Sequence, residues 1–354
     1  MKKRLFFALV SIALVFTMLA ACSPSASTSP SENASAGESV GTSAGETASE
    51  STSEAPALKI GCLNRTETEE VHIVFAEGLR AACEEAGVEL LYNTPGGDDQ
   101  TAIRSAFDSF ITQDCNVIVD FLSSQEISET LASDAQKAGV YYFGVDATLE
   151  NGSYFYGLSN GEAGEKLGTY LVDYVANQMG GQCDLVILMD SPSHGPDVAK
   201  RTEVPKQMLM EAYPDMITDE TVQYLSLSNY ELSDVKQKTT DFFTLHSDAQ
   251  HVLMISFSSY FNDAVFPASM ATGFDDRLNY FSYDGLKASQ QVLKDESAGT
   301  ASILKGEVCS NFTQYGYDIV ALAQKLVAGE TIDELNYVES FVLTPDNVNE
   351  KFPD

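Results

Sequence analysis

The stretch NVIVDFLSSQEISETLASDAQKAGVYYFGV, residues 116–145, decides the fold. It opens with Asn116-Val-Ile-Val-Asp120, a short apolar run between polar residues, which is the pattern of a buried strand. Ser123 and Glu126 then stand at capping-box spacing for a helix start. Ile127, Leu131, Ala135 and Ala138 recur at helical intervals, and Gly139 suits the left-handed residue that ends a helix. Val140-Tyr-Tyr-Phe-Gly-Val145 is a second apolar strand. Two strands joined through a helix in this way run parallel in one sheet.

The same grammar extends outward. Upstream, Leu58–Leu63 and Val88–Tyr92 read as strands. Between them Val71, Val74/Phe75, Leu79, Ala82/Cys83 and Ala86 keep helical spacing up to Gly87. Asp99 can cap a helix that carries Ile103, Ala106/Phe107 and Phe110/Ile111 on one face. Downstream the pattern predicts strands at 184–189, 222–226, 251–256, 279–283 and 300–304. They alternate with helices at 161–179, 196–213, 234–246, 262–271, 286–295 and 315–328. Pro205 conflicts with its helix, because an interior proline removes a backbone hydrogen bond and clashes with the preceding turn. That helix is expected to start late or to kink. Strict alternation with apolar strands calls for parallel sheets covered by helices on both faces. The expected fold class is α/β, with two doubly wound parallel-sheet lobes. Each sheet would open a binding face beyond the carboxyl ends of its strands. Those positions hold Asn64-Arg65, Asp120 and Asp146 in the first half, and Asp190-Ser191, Ser226, Ser256 and Asp284 in the second.

Ahead of this alternation lies a different kind of sequence. Lys2-Lys3-Arg4 is a basic start, and Leu5–Leu19 is an apolar run shorter than the roughly 20 residues of a spanning helix. It ends in Leu19-Ala20-Ala21-Cys22, which resembles the bacterial lipobox, where the Cys thiol takes diacylglycerol and the chain is cut before it. Residues 1–21 then read as a lipoprotein signal peptide and Cys22 as the lipidated residue; the other reading is an ordinary signal peptide with Cys22 incidental. Residues 23–57 are Ser, Thr, Ala, Gly and Glu with three prolines, no aromatic residue and Val40 as the one large aliphatic. Such a segment has nothing to bury and reads as a disordered tether, with a typical reach of roughly 30–35 Å. A long Ser-rich tether behind a lipobox suits an extracytoplasmic protein held on a Gram-positive cell membrane.

Composition narrows the function. The 354 residues include 52 Asp+Glu against 20 Lys+Arg, a formal charge of −32. No cluster of basic residues follows Arg4, so a nucleic-acid partner is not expected, because binding a polyanion requires a basic patch. With 44% hydrophobic and 10% aromatic residues the chain can bury a core without staples. Without Cys22 five cysteines remain, Cys62, Cys83, Cys115, Cys183 and Cys309, an odd number with no C-x-x-C spacing; buried free thiols are expected. No Gly-x-Ser-x-Gly, P-loop, Gly-x-Gly-x-x-Gly or His-Glu-x-x-His motif occurs, so neither an enzyme nor a cofactor is expected.

Several segments, in order, carry a family resemblance. They are Ala86–Val88 closing the first helix, Phe143-Gly-Val-Asp146, Leu158-Ser-Asn160, Asp190-Ser-Pro-Ser193 with Arg201 behind it, Phe281-Ser-Tyr-Asp-Gly285, Asn311-Phe-Thr-Gln314 and Phe341–Val348. From Leu58 to about Asp354 the chain resembles the type I periplasmic sugar-binding proteins, the ribose/galactose/xylose class of solute receptors for ABC importers. Bacterial repressors of this fold carry a helix-turn-helix where this chain has the lipobox and tether. The resemblance implies a three-segment hinge, with crossings near Leu158–Asn160, Glu307–Gln314 and Glu339–Leu343. Lobe 1 would comprise residues 58–158 plus 313–338, and lobe 2 residues 159–312 plus 339–354.

The resemblance also implies the site. A polyol ligand needs carboxylate, amide and guanidinium partners for its hydroxyls and aromatic planes for its ring. Matching by motif gives Asp146, Arg201, Asp284 and Gln314. The alternatives are a backbone turn for Asp146, a surface charge for Arg201, a helix cap for Asp284 and a hinge amide for Gln314. Ribose receptors usually have an arginine where Ala147 stands, and an aromatic pair where Val71 and His72 stand. Arg65 is therefore the candidate for the missing cation and His72 for a stacking ring, with a plain polar helix residue as the alternative for His72. Tyr230, Tyr260 and Asn262 follow second-half strands and are further candidates, the alternative being loop packing or capping. The loop after Asp190 lacks the Asp-x-Asp-x-Asp spacing of a calcium site, so no metal is expected.

The expected function is a monomeric, lipid-anchored solute receptor that delivers a small carbohydrate-like ligand to ABC permease subunits. The rival readings are a receptor of the same fold that signals to a membrane sensor kinase, and a cell-surface hydrolase. Replacing the lipidated thiol tests the anchor. Cys22→Ala should leave the protein soluble or uncleaved in cell fractionation, and unchanged partitioning with the membrane would refute it.

Overall fold

Successive side chains of a strand point to opposite faces, and in Leu185–Asp190 both faces are buried. Val186 and Leu188 enter one apolar cluster, while Leu185, Ile187 and Met189 enter another. A strand buried on both sides needs helices above and below, and the whole chain is built to that demand. The structure, a computed structural model, describes residues 57–97, 99–122, 124–150, 152–192 and 195–353. The expected signal peptide, Cys22, the tether up to residue 56 and Ser123 of the capping box lie outside them.

The first half runs β1 (Lys59–Asn64), α1 (Glu70–Ala86), β2 (Glu89–Asn93), α2 (Gln100–Thr112), β3 (Val117–Phe121), α3 (Gln125–Ala138), β4 (Tyr141–Val145) and β5 (Tyr154–Gly157). The second runs α4 (Asn160–Asn177), β6 (Leu185–Asp190), α5 (Gly195–Ala212), β7 (Val222–Ser226), α6 (Leu232–Leu245), β8 (Val252–Ser256), α7 (Asn262–Thr272), β9 (Leu278–Asp284), α8 (Lys287–Ser297) and β10 (Leu304–Cys309). Then follow α9 (Phe312–Val327), β11 (Leu335–Tyr337), β12 (Phe341–Leu343) and α10 (Val348–Lys351). One sheet has the order β11-β5-β4-β3-β1-β2 and the other β12-β10-β9-β8-β6-β7. All pairings are parallel except β10 with β12. The expected fold class is therefore borne out. The two lobes repeat one winding, and the chain passes between the sheets after β5, after β10 and between β11 and β12.

Some local signals behave as read, whereas α3 starts one residue later than the capping box implies, with Ser124 at its cap and no capping hydrogen bond from that side chain. Asp99 accepts the Ala102 N–H at 2.9 Å and caps α2, and Gly87 and Gly139 end α1 and α3 with φ of 66° and 73°. The five cysteines of the described residues are buried and free. Three differences have physical causes. α5 does not start late: it runs through Pro205, which is buried and packs on α4, where a Cβ on Gly168 would lie 3.2 Å from the proline Cα. The strand expected at 300–304 is instead β10, displaced because its interior holds Lys305, Gly306 and Glu307, residues that do not read as core. The short strands β5 and β11, the second of them at the sheet edge, fall below the length at which alternation is recognisable.

Helices α1 and α9 cover one face of the first sheet and meet at two glycines. A Cβ on Gly316 would lie 2.2 Å from the Leu79 backbone nitrogen, and one on Gly78 would lie 2.3 Å from the Thr313 carbonyl oxygen. The contact is backbone on backbone, so nothing flexible can yield. Gly316→Ala should cost about 2–3 kcal/mol, seen as a lower denaturant midpoint at unchanged slope. Wild-type stability in this variant would show that the two helices are free to separate.

Candidate functional site

Two strand-end aspartates mark the site. Asp146 follows β4 and Asp284 ends β9, the equivalent strands of the two lobes, and both have left-handed backbones with φ of 53° and 104°. Non-glycine residues rarely hold such angles, and they concentrate where a binding site over-determines them.

Asp146 is tied to the hinge. Its Oδ1 accepts the Leu158 N–H at 3.0 Å, on the first crossing, and the Tyr315 hydroxyl at 3.2 Å, in the first turn of α9 past the second. Gly157 permits this, since a Cβ there would lie 2.2 Å from Oδ1. Asp146 keeps exposed surface toward the cleft while protein walls its other sides. That enclosure raises its carboxyl pKa, against the pull of the Leu158 N–H, Arg201 and the Tyr315 hydroxyl, and Asp284 adds repulsion. The third crossing is tied in by the Val338 N–H on the Gly157 carbonyl at 2.9 Å and by Lys166 Nζ on the Ser340 carbonyl at 2.8 Å.

Across from Asp146 stands Arg201, on α5. Its Nε donates to Asn160 Oδ1 at 2.7 Å and its Nη1 to the Phe257 carbonyl at 3.0 Å. Nη1 is also 3.6 Å from Asp284 Oδ1, with both side chains largely buried, and the guanidinium lies 5.3 Å from the Tyr283 ring centre. Asp284 in turn accepts on Oδ2 from Ser258 Oγ at 2.7 Å, the Ser259 N–H at 3.0 Å and Ser259 Oγ at 3.2 Å. Asn160 completes the frame by donating to Asp197 at 2.7 Å. One guanidinium thus sits among carboxylates of both lobes, with every group oriented from behind. This arrangement suits hydroxyl groups, which donate to carboxylates and accept from guanidinium.

The remaining candidates are spread around this centre. Asn262 lies one layer behind Asp284, its Nδ2 donating to Ser289 Oγ at 3.0 Å and Glu307 Oε1 at 3.1 Å. Arg65 is exposed in the loop between β1 and α1, 4.0 Å from Glu69. Tyr230 pairs its hydroxyl with Ser191 Oγ at 2.6 Å. Tyr260 is 47% exposed, and burial with the charges of Glu69 and Glu231 raises its hydroxyl pKa. Gln314 is exposed on α9 and donates to Asp318, one turn on, at 2.8 Å. Beside the cleft α8 meets α1: the Lys287 N–H donates to Glu70 at 2.7 Å, and Lys287 Nζ is 3.8 Å from Glu77. Among the described residues no group of three or more His, Cys, Asp or Glu could hold a metal ion, and no helix is long and apolar enough to cross a membrane. Sequence reasoning missed Asn160, Ser258, Ser259 and Tyr315 as parts of the site. Among them Asn160 had a signal in the sequence, since it closes the Leu158-Ser-Asn160 segment read as a hinge crossing.

His72 is only 2% exposed and its ring packs 4.4 Å from that of Phe121. Asn64 donates its Nδ2 to the His72 carbonyl at 3.0 Å, so its Oδ1 must accept from His72 Nδ1 at 2.6 Å, which fixes the neutral tautomer with Nδ1–H. Burial and Arg65 lower the imidazole pKa to about 4. A depressed histidine value adds stability above the unfolded value near 6.5 that is lost as pH falls toward 4. Wild type should therefore lose about 3 kcal/mol over that range beyond what His72→Gln loses. Equal pH profiles in chemical denaturation would show that the imidazole titrates freely and faces the cleft.

A family model described as a periplasmic binding protein domain matches residues 60–331. No curated protein matches the chain at a significant level. The structure is similar to that of an ABC transporter solute-binding protein from Mycobacterium smegmatis with bound glycerol, at 20% identity over 83% of this chain and 96% of that one, with a TM-score of 0.66. It is similar to an ABC transporter solute-binding protein from Bacillus halodurans with bound myo-inositol, at 16% identity, 85% and 99% coverage and a TM-score of 0.67. A periplasmic ribose ABC transporter protein from Conexibacter woesei gives 14% identity, 85% and 96% coverage and a TM-score of 0.69. At these identities the likeness is one of fold. Matched over most of its length and wound as two parallel-sheet lobes, the chain belongs to the periplasmic binding protein family of type I fold.

Proposed function

We propose that this protein is an extracytoplasmic solute-binding protein that captures a small sugar or polyol between its lobes and delivers it to an ABC importer. The observation that carries the reading is the guanidinium of Arg201 set among Asp284, 3.6 Å away, and Asp146 of the other lobe. Such a set has no use in a stable core, where paired charges give little net stabilisation. It does serve a ligand with several hydroxyls. Solved relatives with bound glycerol, myo-inositol and allitol support the same class. The lobe assignment given above, a monomeric state, and a lipid anchor at Cys22 on a Gram-positive cell surface belong to the proposal. In it, the tether lets the receptor turn toward its permease, and hinge closure on the ligand is the shape the permease reads.

A thermal-shift screen of pentoses, hexoses, polyols and short oligosaccharides tests the reading. A true ligand at 100 times its Kd should add about 2.7 kcal/mol. Asp284→Asn keeps a residue that tolerates the left-handed backbone and leaves an oxygen for Ser258 and Ser259, but turns an amide toward Arg201. It should weaken the best binder at least tenfold, about 1.4 kcal/mol, with little change in ligand-free stability. Intact affinity with a damaged fold would make Asp284 a structural cap.

A further inference from the structure

Behind the Asp284 corner lies a carboxyl group that the binding site does not use. Glu307, in the interior of β10, is 0% exposed. Its Oε1 accepts from Ser282 Oγ and from Asn262 Nδ2 at 3.1 Å, and its Oε2 accepts the Gly285 N–H at 3.1 Å. Glu307 stands opposite Ser282 on β9 and opposite Leu343 on β12, and two residues on, Cys309 stands opposite Asp284. We infer that Glu307 is a positioning residue for the cleft: it holds the Asp284–Gly285 corner through the Gly285 N–H, and its protonation state sets how firmly that corner is held. The inference rests on the binding role proposed above.

The network is built for an acceptor. Every hydrogen-bond partner of Glu307 can donate to it, and an ionised carboxylate accepts from all of them. The same arrangement leaves Asn262 Oδ1 buried with no partner. A protonated Glu307 donates its own O–H, to the Ser282 or Ser289 hydroxyl or, after a turn of the Asn262 amide, to that orphaned oxygen. The proton comes from solvent and no bond other than hydrogen bonds changes. Losing the charge converts the Gly285 contact from a charge-assisted hydrogen bond to a weaker neutral one. Among the described residues no Lys, Arg or His pairs with Glu307. The titratable groups that face it are Asp284 and Tyr280 on β9 and Cys309 on β10, while α7 and α8 offer the neutral Asn262 and Ser289. With burial the first cause and Asp284 adding repulsion, against the pull of Ser282, Asn262 and Ser289, the carboxyl titrates at about 7.

Amide hydrogen exchange at Gly285 in the ligand-free protein reads this directly. After correction for intrinsic rates, wild type should lose about fivefold in protection between pH 8 and pH 6, whereas Glu307→Gln should show the low value at both. Ser282→Ala, which removes one donor and keeps the fold, should move the midpoint upward. The same pH response in wild type and Glu307→Gln, or an unmoved midpoint in Ser282→Ala, would overturn the inference. Calorimetry with myo-inositol and D-ribose at both pH values adds the binding arm. A probe that binds should do so about fivefold more weakly at pH 6 in wild type only, and pH-independent affinity in wild type would also overturn the coupling. If neither probe binds, the ligand class is at fault, and the exchange data still decide the role of Glu307.

Discussion

The site depends on one constraint: a single guanidinium must stay charged and oriented between two halves of a molecule between which the chain crosses three times. Arg201 meets it by resting on protein groups that do not face the cleft. Asn160 holds Nε, the Phe257 carbonyl holds Nη1, and the Tyr283 ring lies beneath. These bonds fix two of the five guanidinium N–H donors, so the group is oriented before a ligand arrives and keeps donors for its hydroxyls. Asp284 is prepared in the same way by Ser258 and Ser259. Preorganisation of this kind moves the ordering cost from the binding event to folding.

The hinge and the site share atoms. Asp146 Oδ1 is bonded by Leu158 on one crossing and by Tyr315 just past another. A ligand hydroxyl that engages Asp146 therefore touches the group that sets the geometry of the crossings. Asp284 is linked backward as well, through its carbonyl to the Ser310 N–H at 3.3 Å on the second crossing. A continuous apolar cluster runs from Phe75 and Ile319 in the first lobe through Leu158, Phe312 and Tyr315 to Leu188 and Phe281 in the second. The lobes therefore share buried apolar surface at the crossings as well as these polar atoms.

Much of this was legible in the sequence, and the limits follow from physics. The βαβ alternation was readable because strands buried on both faces are runs of apolar residues, as in Val117–Phe121 and Leu185–Asp190. Helix ends were readable where a glycine takes a left-handed turn, as at Gly87 and Gly139. Strand-end position alone pointed to Asp146 and Asp284, and the family motif added Arg201. What could not be read are contacts made across long sequence separations: Asn160 with Arg201, Tyr315 with Asp146, and Glu307 with Gly285. The strand β10 was displaced for the same reason, since a buried Glu looks like a surface residue until its donors are known. His72 illustrates the converse. A polar residue at the start of α1 reads as available to a ligand, yet Asn64 and Phe121 enclose it.

The central claim is that a small polyol binds between the two strand-end aspartates, on the guanidinium they flank. The most direct measurement is a crystal structure with the tightest-binding sugar or polyol. The account predicts ligand hydroxyls within hydrogen-bond distance of Asp146, Arg201 and Asp284 at once, the first from one lobe and the other two from the second. A ligand bound with full occupancy elsewhere, with these three groups left facing water, would contradict it.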